Sequence, residues 1–102
     1  MLYLNAAVLE TEYALSKDNI EIMFQVNYLS QFYLARLLIS SLLLTKNSRI
    51  IVMSCESHRG GDLNKSDISS SHLNISKADF SFLQAFCNSK LCCILFANEM
   101  NR

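Results

Sequence analysis

The sequence predicts an α/β fold in which two parallel strands are joined through a long helix, an incomplete strand-helix-strand-loop-helix piece of a doubly wound sheet. Two apolar, strand-like runs lie at residues 1–5 and 49–54, and the second has apolar residues on both faces, as in a parallel sheet covered on both sides. Between them the apolar positions step by three and four with no breaker. Only two glycines and no proline occur in 102 residues, which favours long helices over many loops.

Taken in order, Met1-Leu2-Tyr3-Leu4-Asn5 reads as a first strand. Asp18 and Glu21 have capping-box spacing, so a helix is expected to start at Asp18. Ile20, Met23, Phe24, Leu29, Phe32, Tyr33, Leu37, Leu38, Leu42 and Leu44 carry it onward as one helix or two joined end to end. Arg49 to Ser54 is the second strand, expected to form the core. Ser54 to Ala78 is polar and Ser-rich, with Gly60-Gly61 able to turn, and is expected to be a long loop. Ser76 or Asp79 then offers an N-cap for a second amphipathic helix through Phe80, Leu83, Phe86, Cys87, Leu91, Leu95 and Phe96. Two strands do not make a domain, so the pattern looks like the middle of something larger.

Composition excludes several functions. Nine Lys+Arg balance nine Asp+Glu with no basic run, which leaves no electrostatic footprint for nucleic acid. Cys55, Cys87, Cys92 and Cys93 contain no C-x-x-C pair and follow no secretory signal, so they are expected to be reduced thiols of a cytoplasmic chain without a metal. The triplets Asn64-Lys65-Ser66 and Asn74-Ile75-Ser76 are too degenerate to be read as glycosylation sites, and His72 carries no signal. Tyr28 to Leu44 has 17 residues and is nearly apolar enough for a membrane span. Gln31 and Arg36 near its middle argue against that, since a central arginine costs roughly 2.5–3.5 kcal/mol on insertion scales.

Ligands of doubly wound sheets bind beyond the carboxyl ends of the strands. Asn5-Ala6-Ala7 follows the first strand, Asn27 lies inside the long helix, Ser54-Cys55 follows the second strand, and Phe86-x-x-x-Lys90 lies on the last helix. This ordered series resembles the central portion of the short-chain dehydrogenases/reductases. The runs Phe24-Gln25-Val26-Asn27, Ser54 to Arg59 and Asn88 to Cys92 followed by Ile94-Leu95-Phe96 look most like the WW-domain-containing oxidoreductase branch, with the retinol dehydrogenases next.

The resemblance implies a Rossmann-type sheet, NAD or NADP as cofactor, and oxidation of an alcohol or reduction of a carbonyl, with a steroid- or retinoid-like substrate. It aligns Asn27 and Lys90 with retained catalytic residues, and Asn5, Ala6, Ala7 and Lys90 with cofactor-binding positions. It aligns Cys55 with the catalytic serine and Phe86 with the catalytic tyrosine. The family's glycine-rich turn belongs upstream of Asn5, so residues 1–102 are expected to be a partial dehydrogenase domain with no WW domain. The resemblance implies that in the family a phenol hydroxyl four residues before the lysine transfers the substrate proton, and Phe86 has none, so the chain is expected to be inactive alone.

Each residue also has a plainer reading. Phe86 and Cys87 suit any apolar helix, Lys90 suits a solvated surface, and Glu56, His58 and Arg59 suit an exposed loop. Asn27 is harder to place this way, because a buried amide needs partners. Beside the oxidoreductase stand an interaction module, forming a homo- or hetero-oligomer through the long helices, and a membrane-associated helical protein.

Overall fold

A computed structural model describes residues 1–63 and 74–102. Strand β1 (Leu2–Leu4) pairs in parallel with β2 (Ile50–Val52), in the register Leu2 to Ile50, Tyr3 to Ile51 and Leu4 to Val52. Both strands are shorter than their apolar runs. The helical run between them comprises α1 (Ile22–Phe24), a π-helical segment (Gln25–Leu29) and α2 (Ser30–Leu44) without a break. A 3-10 turn (Glu56–Gly60) follows β2, a second one (Lys77–Asp79) precedes α3, and α3 (Phe82–Met100) closes the chain. The expected loop thus contains two short turns among its described residues. The triplet at Asn64, and His72, lie outside them.

The register decides which sheet face is covered. Leu2, Leu4, Ile50 and Val52 share one face and pack with Ala35, Tyr28, Phe32 and Phe96. Phe96 meets Phe32 edge-on at 5.5 Å and Tyr28 at 6.5 Å between ring centroids, so α3 and the central helix close over the same side. On the other face Tyr3 is 61% exposed. The expectation of a sheet covered on both sides with β2 as the core is therefore corrected. The buried centre is Leu4, Ala35 and Phe96, and β2 only lines it.

Both helix starts differ from the predicted ones. Glu21, not Asp18, caps α1, its carboxylate accepting from the backbone N–H groups of Met23 and Phe24 at 2.9 and 2.8 Å. Residues 16–20 form a turn in which Asn19 adopts φ 57°, Ser16 Oγ accepts from Asp18 N and Ile20 N, and Leu15 bridges Glu21. Asp18 instead accepts from Gln25 Nε2. At α3, Ser76 Oγ donates to Asp79 Oδ2 inside the preceding turn, so neither side chain is available as a cap, and the helix begins after Ser81. No described helix is long and apolar enough to cross a membrane.

Candidate functional site

Because β1 and β2 are parallel, both carboxyl ends emerge on one side, and the helices bring polar side chains to them. Asn27 sits in the π segment and is fully buried. Its Oδ1 accepts from Val8 N at 2.7 Å and its Nδ2 donates to Val8 O at 3.0 Å, so one amide satisfies both backbone groups of the chain leaving β1. The same Nδ2 donates to Ser89 Oγ at 3.0 Å, and that hydroxyl donates to Phe86 O at 2.7 Å. Gln31 Nε2 donates to Ala6 O and Asn27 O, holding the exposed Asn5-Ala6-Ala7 segment against the helix.

The second strand is tied to α3 in the same way. Ser54 Oγ donates to Lys90 O at 2.9 Å, which leaves Cys55, exposed in extended backbone, as the next side chain beyond the strand. Lys90 is only 6% exposed, and its ammonium lies 5.6 Å from the centroid of the Phe86 ring, one helical turn earlier. Among the described residues no carboxylate pairs with it. The surface-lysine reading is therefore corrected: helix α3 buries the stem and keeps the charge beside the aromatic face.

The 3-10 turn lies close along α3. A Cβ on Gly61 would stand 2.7 Å from Leu91 Cβ, and one on Gly60 would stand 3.1 Å from Cys87 Sγ. Gln84 Nε2 donates to Gly60 O and Asn88 Oδ1 accepts from Asp62 N, fixing the turn. Both glycines of the chain are thus taken up by this close approach and offer no phosphate cradle. His58 Nδ1 lies 2.7 Å from Cys55 O.

Deeper in, Cys93 Sγ donates to Asn27 O at 3.2 Å. Burial pushes its thiol up, against the opposing pull of the Lys90 charge. Burial, helped by the neighbouring Cys93, pushes Cys92 up to about 11. Burial likewise raises Tyr28. No cluster of metal-ligating side chains occurs among the described residues.

The structure thus brings Asn27, Lys90, Phe86 and both strand ends into one region. Ser54, singled out at the end of the second strand, holds Lys90. Two contributors were given no part in the site from the sequence: Ser89 joins Asn27 to Phe86, and Gln31 holds Ala6. Their partners are backbone carbonyls or a side chain 62 residues away, which leave no trace in sequence.

A parallel strand pair with two long helices on one face, and a buried asparagine and lysine at the strand ends, places the chain among α/β proteins. Comparison with known proteins then gives the family. Human WW domain-containing oxidoreductase is 43% identical over 104 residues, covering 100% of this chain and 25% of the relative. The Drosophila melanogaster protein of that name is 39% identical, covering 97% of this chain and 24% of the relative. Mouse retinol dehydrogenase 13 is 35% identical, covering 95% of this chain and 28% of the relative. The resemblance to short-chain dehydrogenases/reductases, and within them to the WW domain-containing oxidoreductases, is thereby shown. The chain spans about a quarter of the length of these curated relatives. No family model and no solved structure matches it.

Proposed function

We propose that residues 1–102 form part of the catalytic domain of an NAD(P)-dependent short-chain oxidoreductase, in which β1 and β2 are neighbouring strands of a Rossmann-type sheet. By itself the chain does not turn over. The observation that carries this reading is the buried Lys90 one helical turn after Phe86, joined through Ser54 to the end of β2, with Ser89 and Asn27 behind it.

The dinucleotide supplies or accepts the hydride. Lys90, a buried cation without a carboxylate partner among the described residues, suits the hydroxyls of its ribose. The exposed Asn5-Ala6-Ala7 segment leaves β1 on the same side, at the end where β2 also ends. Asn27 keeps its amide on Val8 and Ser89, so its contribution is to hold the elements in register. The substrate in this reading is an alcohol or carbonyl compound, steroid- or retinoid-like; the name of one relative, retinol dehydrogenase, supports the retinoid part. Phe86 fills the place of the proton-transferring phenol and has no titratable group. Cys55 replaces a hydroxyl with a weaker hydrogen-bond donor.

The test is a chimera in which residues 5–102 replace the matching segment of an active relative. It binds dinucleotide, but its turnover is lower than the parent's by about 10²–10⁴-fold, the usual worth of general acid–base help. Phe86→Tyr recovers part of the rate, and adding Cys55→Ser gives a smaller further gain. A chimera as fast as its parent, or a folded, cofactor-bound Phe86→Tyr variant with no gain, removes Phe86 from the tyrosine position.

A second reading, a non-catalytic interaction module, is favoured by α2. Tyr33, Leu34, Leu37, Leu43 and Leu44 are all exposed on it, the last at 89%.

A further inference from the structure

We propose, resting on the oxidoreductase reading, that Gln31 is a positioning residue for the dinucleotide: its buried amide fixes the backbone of the Asn5-Ala6-Ala7 segment, and cofactor affinity depends on that grip. The first strand turns the backbone of every second residue toward its partner, Leu2 N donating to Arg49 O and Leu4 O accepting from Met53 N. β2 ends at Val52, and beyond it two amides one helical turn apart take over as partners. Gln31 Nε2 donates to Ala6 O, and the Asn27 amide takes both Val8 N and Val8 O. The alternation through residues 2, 4, 6 and 8 thus runs on past the sheet, held by side chains. Asn5, Ala6 and Ala7 are exposed there, at the carboxyl ends of parallel strands, where doubly wound sheets bind ligands. A segment without a neighbouring strand is free to take many conformations, and the two amides remove that freedom before a ligand arrives.

The surroundings of Gln31 dictate which way its amide faces. The side chain is 7% exposed, and the same Nε2 also donates to Asn27 O at 3.0 Å and to Val26 O at 3.2 Å, both carbonyls of the π segment. Three acceptors converge on one nitrogen. Turning the amide over would set Oε1 against all three, so Nε2 faces them and Oε1 is left buried with no partner among the described residues. An unpaired buried acceptor is destabilising, and an apolar side chain at position 31 would be free of it. What an apolar side chain cannot do is donate to Ala6 O. Gln31 therefore gives up local stability for a hold on the segment beyond β1, and its removal is expected to show in ligand affinity more than in folding.

The experiment uses the chimera in which residues 5–102 replace the matching segment of an active relative, with Phe86→Tyr added so that turnover can be read. Dissociation constants for NADH and NADPH, kcat at saturating dinucleotide and the unfolding midpoint are measured for three further variants. Gln31→Leu should raise the dissociation constant of the dinucleotide that the chimera binds by about tenfold, with kcat at saturation kept within about threefold. Gln31→His, which keeps a ring N–H donor, should recover most of the affinity. Glu21→Ala, which removes the cap of α1, should lower the unfolding midpoint more than Gln31→Leu does and leave the dissociation constant within about twofold. The proposal is overturned if Gln31→Leu binds as tightly as its parent, if kcat falls while affinity holds, or if Glu21→Ala weakens binding as much, since the loss would then be one of stability. A parent chimera that binds no dinucleotide overturns the oxidoreductase reading together with this role, whereas a binding chimera indifferent to Gln31 overturns this role alone.

Discussion

Residue by residue, the polar groups at the strand ends are held by side chains that reach backbone atoms far away in sequence. Asn27 reaches Val8 across 19 residues and Ser89 across 62, and its own carbonyl accepts from the Cys93 thiol. This packing keeps the two adjacent thiols out of water and ties stability to pH. The folded Cys92 titrates near 11 and the unfolded thiol near 9, so between those values the folded chain holds the proton more tightly. The contribution is therefore complete below about pH 9 and lost as pH rises towards about 11. The urea midpoint should fall across this window, and Cys92→Ala should remove part of the fall. Parallel pH profiles for the two proteins would show that the thiol is not buried as described.

Among the elements, the helix entry is the most exposed to test. Glu21 is 1% exposed, with both carboxylate oxygens on the first free N–H groups of α1, and its own N–H donates to Asn74 Oδ1 at 2.8 Å. Glu21→Ala removes both acceptors and should destabilise the chain by about 1–2 kcal/mol, read by chemical denaturation followed by circular dichroism. Glu21→Gln keeps one acceptor and should cost less. Equal stability of all three proteins would place the cap elsewhere.

That entry also marks where sequence reading stops. The two strands and both long helices were legible because their apolar periods persist over the structure's own elements. The cap was misplaced because Asp18 and Glu21 both suit it, and only the Ser16 turn with Asn19 at positive φ decides between them. The π segment has no glycine or proline to signal it, and its Asn27 is fixed by non-local partners. Lys90, Asn27 and Ser54 stood out through the family motifs, whereas the parts played by Gln31 and Ser89 did not, since Gln31 bonds backbone carbonyls and Ser89 meets Asn27 from 62 residues away.

For the molecule as a whole, surface area decides what the chain does alone. Much of what shows is apolar: Tyr33, Leu37, Leu43 and Leu44 on α2, Leu83 and Leu95 on α3, and Tyr3 on the uncovered sheet face. β1 and β2 form a two-stranded sheet, so among the described residues each strand also has one unpaired edge. With no net charge to keep copies apart, these surfaces should meet. The purified chain should sediment as a dimer or larger species at micromolar concentration and bind a hydrophobic dye. Replacing Leu37, Leu43 and Leu44 together by Lys should weaken both signals without loss of helicity. A dye-silent, monodisperse monomer with a cooperative melt would mean that the helices close over this surface within one chain, and that the exposed face of α2 is not one the protein presents in solution.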